Sequence, residues 1–193
     1  MRIILASKSG VRKKILDKYK IENEVIISYV DEDEIKNSLL TEGATPLEIS
    51  KSLAEVKSIR VSSKNPDRLV IGADSVISLN NKLINKPNSR KEALEILKKL
   101  NGSLHYLISS VCISRSGSMI WNCTDFSELK MKKLSNQHLV DYLKKIKTET
   151  LLAYGVYQIE ADGLELFDTI KGDSDSIMGL PIKQIKEYLD KYK

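Results

Sequence analysis

The stretch Val70–Pro87, VIGADSVISLNNKLINKP, decides how the chain is read: an apolar strand carries one carboxylate, turns, and returns to deliver a lysine. Val70, Ile71, Val76, Ile77 and Leu79 are mostly β-branched and read as a buried strand. Asp74 falls in its middle, after Gly72 and Ala73, two small residues expected to leave open space beside the backbone. Burying an unpaired carboxylate is costly, so Asp74 calls for a cation, a metal or hydrogen-bond donors nearby. Asn80-Asn81 turns the chain, and Lys86-Pro87 closes the returning strand. An acid and a fixed cation on one hairpin suit a site for a metal and a phosphate. The plainer alternative is a strand-end Asp that caps a turn.

Outward from this hairpin, strands and helices alternate. Arg2–Ala6 reads as a strand, followed by a helix from about Gly10 to Tyr19. Val25–Val30 is a second expected strand, leading into the acidic segment Asp31–Glu34. Thr45-Pro46-Leu47-Glu48 combines a capping Thr, an early proline and a glutamate three residues on, opening a helix to about Ser62. Ser89-Arg90-Lys91-Glu92 is a second capping box, for a helix that ends at Asn101-Gly102. Leu104–Ser114 and Met119–Met131 predict two long antiparallel strands joined across Ser116-Gly117, and Ser135 caps a helix through about Lys145. Tyr154–Ile159 and Leu164–Ile170 read as short strands around Asp162-Gly163, and Gly179-Leu180-Pro181 opens the last helix. Early alternation followed by a meander predicts an α/β fold with a mixed sheet, in one domain spanning residues 1–193.

Bulk properties narrow the function. With 193 residues, 41% hydrophobic and 30% charged, the chain suits one domain or two small lobes sharing a core. No apolar run approaches the roughly 20 residues of a membrane helix, and Arg2–Ala6 is too short for a signal peptide, so the cytoplasm is the expected location. Cys112 and Cys123 lack metal-ligand spacing and read as buried free thiols. His105 and His138 stand alone in sequence, which argues against a histidine zinc site or a Ser-His-Asp triad. The net charge is +5, yet the lysines alternate with acids, as in KKILDKYKIENE, the pattern of solvated helix faces. No stable binding of nucleic acid and no membrane association is expected. A modest positive field equally helps capture a polyanionic small molecule.

Three further segments carry chemistry. LASKSGVRKKIL puts Ser7 and Ser9 in the turn between a strand and a helix, with Arg12 in the first helical turn. Free backbone N–H groups, serine hydroxyls and a guanidinium there suit phosphate oxygens, although Ser9 could equally serve as a simple helix cap. SYVDEDEIK ends its expected strand with Asp31, Glu32, Asp33 and Glu34, either partners for Mg²⁺ or an ordinary acidic loop. In the Thr45 helix, Leu53, Ala54 and Lys57 surround a lysine with apolar residues; it either snorkels to solvent or meets a phosphate.

Taken together, these pieces resemble the Maf family of nucleoside triphosphate pyrophosphatases, in order along nearly the whole chain. LASKSGVR is similar to the family's LASxSPRR, VDE to its acidic segment, LAEVK to LAxxKA, and IGADSV with the later KP to its GADT…KP hairpin. Leu100 and Gly102 fit its LSG turn, YGVYQIEADG resembles AGAYGIQGxG, and IKGDSDSIMGLP is similar to its closing GxxxxVxGLP. The resemblance implies an elongated mixed-sheet fold with two lobes around a deep cleft, like that of the inosine triphosphate pyrophosphatases, and usually a homodimer. It also implies hydrolysis of a nucleoside triphosphate substrate to monophosphate and pyrophosphate, with Mg²⁺ or Mn²⁺ as cofactor. By motif, Asp74 takes the proton-acceptor position, with Glu32 and Lys57 beside it in the catalytic group. Ser7, Ser9, Arg12, Lys57 and Lys86 fall at phosphate-binding positions, and Glu32 and Asp74 are the candidate metal ligands.

Three departures bear on the base. Val11 stands where the dTTP/UTP-cleaving branch has an arginine, Ser75 replaces a threonine, and Glu160 replaces a glutamine. These look more like the branch acting on 7-methyl-GTP. Guanine offers adjacent N1–H and N2–H donors that a carboxylate accepts bidentately, whereas uracil's N3–H lies between two acceptors and suits an amide. The expected substrate is therefore a modified purine triphosphate, with removal of non-standard nucleotides as the role. The alternatives are dTTP/UTP specificity, or a non-enzymatic nucleotide- or nucleic-acid-binding regulator of cell division.

Overall fold

The edge of one long strand organises the molecule. In the computed structural model, which describes residues 2–159 and 161–192, seven strands form a single mixed sheet. They are β1 (Ile3–Leu5), β2 (Asn23–Val25), β3 (Val70–Leu79), β4 (Lys82–Ile84), β5 (Leu104–Arg115), β6 (Ser118–Met131) and β7 (Phe167–Lys171). Their order is β2-β1-β3-β5-β6-β7, with β4 added to β3. The β2–β1–β3 pairs are parallel and the others antiparallel. The mixed α/β sheet expected from the sequence is therefore borne out.

One edge of β3 is paired continuously with β5, from Val70↔Ser114 to Ser78↔Tyr106. The other edge is shared. Strand β1 pairs only with Val70 and Ile71, whereas β4 pairs only from Ile77 to Leu79, so the sheet forks between them. Asp74 lies in the middle of that gap. The β3–β4 turn uses Asn80 and Asn81 at φ 51° and 60°, the left-handed region that asparagine tolerates best after glycine.

The helices are α1 (Gly10–Lys18), α2 (Glu32–Thr41), α3 (Pro46–Ser62), α4 (Arg90–Leu100), α5 (Asn136–Lys145), α6 (Thr148–Tyr154), α7 (Ser174–Ile177) and α8 (Ile182–Leu189). Two apolar cores flank the fork. One joins Leu5, Leu16, Ile71, Ile113, Leu180 and Ile185 beneath α1 and α8; the other joins Leu97, Leu129, Leu139, Tyr142, Leu151 and Leu166 beneath α4, α5 and α6. Strands β3 and β5 run through both lobes, and a cleft opens between them.

Helix α3 crosses β3 unusually closely because its sheet-facing residues are small: Ser50, Ala54 and Ser58 recur every four positions and are fully buried. The space beside Gly72 is thus filled rather than open. A Cβ there would lie 2.2 Å from Ala54 O and 2.6 Å from Ser58 N. Thr45 and Glu48 complete the foreseen capping box at the start of α3.

Several expectations need correction. The Val25–Val30 strand pairs only over Asn23–Val25, and Asp31–Glu34 begins α2 instead of ending a strand. Asp31 caps that helix by accepting from Glu34 N, and acids in the first turn complement the helix dipole. Tyr154–Ile159 is not a strand either: α6 runs to Tyr154, Gly155 at φ 98° ends it, and Val156 and Tyr157 pack consecutively into the second core. Of Leu164–Ile170, only the part from Phe167 is strand, after a 3₁₀ turn over Asp162–Leu166. The last helix opens at Ile182, just past Pro181, and the short α7 precedes it. His105 is fully buried, its Nε2 2.9 Å from Tyr157 Oη, and enclosure pulls its pKa down to about 4, so it is neutral. Cys112 is buried and Cys123 half-buried, both free.

Candidate active site

Lys57 is the pivot of the cleft. Its Nζ donates to Asp74 Oδ1 at 2.8 Å and pairs with Glu32 Oε1 at 2.8 Å, joining α3, β3 and α2. Lys57 is 5% exposed and Asp74 6%, so this lysine does not snorkel to solvent. The geometry follows from strand alternation: Gly72 and Asp74 share the face of β3 against which α3 packs. Absence of a side chain at Gly72 brings α3 close enough for Lys57 to reach Asp74. The other carboxylate oxygen, Asp74 Oδ2, is buried without a hydrogen-bond partner. Burial pushes the Glu32 carboxyl upward, but Lys57, with help from Lys36 and Lys86, overrides it and holds the pKa below the ordinary value.

The opposite face of β3 presents Ser75 to Arg12. The guanidinium donates from Nε to Gly179 O (2.9 Å), from Nη1 to Ser7 Oγ (3.2 Å) and Ala73 O (2.8 Å), and from Nη2 to Ser75 Oγ (3.2 Å). Four of its five N–H donors are thus held by protein, and one remains. Enclosure lowers the Arg12 pKa against the attraction of Asp74 and Glu32, and it stays charged. Arg12 therefore acts as a strut across the fork, satisfying the Ala73 carbonyl that no strand covers. Ser9 is the N-cap of α1, accepting from Arg12 N, while Ser7 Oγ accepts from Ser9 N. Ser9 thus caps α1, and its hydroxyl proton is still available to a ligand.

Lys86 stands at the far wall and donates to Ala153 O at 2.8 Å, bridging to the end of α6. Desolvation by the cleft walls lowers its pKa, although much of the side chain is open to solvent, while Glu32 and Asp74 pull it back up. The cleft between these groups is about 410 Å³. Among the described residues its walls carry five cations (Lys8, Arg12, Lys36, Lys57, Lys86) against two carboxylates, Glu32 and Asp74. Such a balance favours a polyanion. Every site residue singled out in the sequence lines this cleft except Glu160, which lies outside the described residues. Val11 lines it from α1, half-buried against the first core.

The donor set suits a hard divalent cation in part. Asp74 Oδ2 is buried and unpartnered, and Glu32 lies on the same lysine, so two carboxylates converge. Among the described residues no group of three or more acidic, histidine or cysteine side chains forms a complete cage. Two protein oxygens completed by substrate phosphates and water is the usual arrangement for Mg²⁺.

The sequence of the Maf-like protein family matches residues 2–192. The chain belongs to the Maf family. A protein of Pelagibacter ubique named nucleoside triphosphate pyrophosphatase is 60% identical over 187 residues, covering 97% of this chain and 96% of that protein. One of the same name from Caulobacter vibrioides is 38% identical, covering 97% and 94%. A 7-methyl-GTP pyrophosphatase of Brucella abortus is 35% identical over 182 residues, covering 94% and 92%. The Staphylococcus aureus Ham1 protein overlaps 69% of this chain and 73% of its own at TM-score 0.40 and 16% identity, too loosely to carry weight.

Within this Maf chain, three participants escaped sequence reading. Lys36 reaches the cleft from α2, a helix the sequence reading did not foresee. Ser109 shares a hydrogen bond with Ser75 at 2.9 Å and donates to Ser176 O at 2.8 Å. Asp175, 2% exposed, accepts from Lys18 Nζ (3.0 Å) and Tyr19 Oη (2.6 Å), tying the loop that supplies Gly179 O to the end of α1. Only the D-x-x-E spacing of Asp31 and Glu34 signalled α2; the other two contacts join residues far apart in sequence.

Proposed function

We propose that this Maf-family protein hydrolyses a nucleoside triphosphate to the monophosphate and pyrophosphate in the cleft at the sheet fork. The observation that carries this reading is the buried, unpartnered Asp74 Oδ2 within a cation-lined cleft. Asp74 accepts a proton from a water whose oxygen forms a bond to the α-phosphorus. The anhydride bond between the α and β phosphates breaks, and its electron pair leaves on pyrophosphate. Lys57 holds Asp74 Oδ1, which orients Oδ2, and its third N–H is free to face a phosphate oxygen. Ser7, Ser9, Arg12 and Lys86 surround the phosphates. Asp74 and Glu32 would hold Mg²⁺ or Mn²⁺, which supplies charge neutralisation for the triphosphate. Whether Asp74 serves mainly as base or mainly as ligand is separated by the metal dependence of the Asp74→Asn variant's residual rate.

The base we assign is a modified purine such as 7-methylguanine, as in the Brucella relative's name. Val11 offers an apolar wall where a second arginine would favour the other branch, and Glu160 would accept from the purine's adjacent donors. Ser75 acts on this choice through Arg12, since its hydroxyl is shared between Arg12 and Ser109. The enzyme would act in the cytoplasm as a homodimer; among the described residues no helix is long and apolar enough to cross a membrane. A panel of 7-methyl-GTP, GTP, dTTP and UTP with Mg²⁺ or Mn²⁺ tests the base. Fastest turnover of 7-methyl-GTP is expected, and fastest turnover of dTTP or UTP overturns the assignment while leaving the hydrolysis intact.

A further inference from the structure

Helix α2 places a cation in the cleft that no motif called for. Lys36 follows Glu32 by four residues, which puts both on one face of the helix, a turn apart. Its side chain is 17% exposed, low for a lysine, and its nearest acid is Asp33 Oδ1 at 3.7 Å, beyond hydrogen-bond distance. Asp33 itself is 91% exposed, so that pairing is weak. The other inward cations already serve protein acceptors. Lys57 serves two carboxylates, Arg12 serves four protein acceptors and Lys86 serves Ala153 O. Lys8, also on the cleft wall, stands over the exposed Tyr29 ring, 5.9 Å from its centroid. Lys36 and Lys86 line the same cleft, where they repel each other and are both drawn to Glu32. Two like charges facing one space are relieved by an anion between them.

We infer that Lys36 binds the terminal phosphates of the substrate, and so the pyrophosphate leaving group, together with Lys86. This rests on the pyrophosphatase reading above. In the reaction, the electron pair of the breaking α–β anhydride bond arrives on the pyrophosphate oxygen, and a cation held beside it stabilises that charge as it develops. Lys36 is a binding residue for the leaving group, separate from Asp74, which handles the water.

Calorimetric titration with inorganic pyrophosphate and with a nucleoside monophosphate, both with Mg²⁺, isolates the role without requiring turnover. Lys36→Met should weaken pyrophosphate by about tenfold and leave the monophosphate within about twofold. Lys36→Arg should restore most of the pyrophosphate affinity, and Asp33→Asn should leave it unchanged. Equal pyrophosphate affinity in wild type and Lys36→Met overturns the inference. So does an equal loss for monophosphate and pyrophosphate, which would make Lys36 a general contributor to the field. A loss in Asp33→Asn matching that of Lys36→Met would reassign Lys36 to holding α2 in place. A wild type that binds pyrophosphate through Lys36 but releases none from any triphosphate would instead defeat the pyrophosphatase reading alone.

Discussion

Replacing Gly72 by alanine should damage both stability and chemistry through a single methyl group. The added Cβ would stand 2.2 Å from Ala54 O, 2.6 Å from Ser58 N and 2.9 Å from Ser58 Cβ. Two of these atoms belong to the helix backbone, so no side-chain rotation relieves the clash, and α3 must move off β3 by roughly 1 Å to restore ordinary contact. Overpacking of this kind costs about 1–3 kcal/mol, and the backbone contacts place Gly72→Ala near the upper end. For a chain of this size, about 3 kcal/mol lowers the melting temperature by roughly 6–12 °C. The same shift carries Lys57 away from Asp74. A misplacement of about 1 Å in a reacting group can cost about 10²-fold in rate. Gly10→Ala is the internal control, since a Cβ there meets nothing within 4 Å. Thermal melts of both variants, with kcat measured well below the lower melting temperature, decide the matter. If Gly72→Ala melts within about 2 °C of Gly10→Ala and keeps its kcat, the close crossing does not set the Lys57–Asp74 pair.

Two further outcomes follow from the same geometry. Lys57→Met leaves a buried, unpaired Asp74 beside Glu32, at a cost of about 3–5 kcal/mol. Adding Asp74→Asn should recover most of the loss, and denaturant melts of both variants would expose a failure to do so. Arg12→Lys keeps the charge but cannot reach Gly179 O, Ala73 O, Ser7 Oγ and Ser75 Oγ together. It should reduce kcat/KM about 10²-fold, and an activity near wild type would show that the strut is dispensable.

Much of this was legible in the sequence because it is local. The Thr45–Glu48 capping box, the Asn80-Asn81 turn and the β-branched run from Val70 each declare themselves within a few residues, and the structure keeps all three. Short elements were misjudged. Seven residues in α6 and ten in α2 hold too few turns for an apolar period to stand out, and α2 buries no residue at all. The meaning of Gly72 was also hidden: one small residue looks the same whether it leaves room for solvent or for the α3 residues Ala54 and Ser58. Likewise, Ser75 declares nothing of its bonds to Arg12 and Ser109, which join separate stretches of chain. Lys36 was invisible for the same reason, since its place in the cleft depends on where α2 begins.

Hydrolysis in this cleft turns on Asp74, and the isosteric Asp74→Asn variant tests that role most directly. Wild type and variant are incubated with Mg²⁺ and 7-methyl-GTP, GTP, dTTP and UTP, with pyrophosphate and single phosphate detected separately. Wild type should release pyrophosphate and monophosphate in equal amounts. The variant should fall by about 10²–10⁴-fold while nucleotide affinity changes only a few-fold. Turnover within tenfold of wild type in Asp74→Asn, or release of single phosphate in place of pyrophosphate, would contradict it.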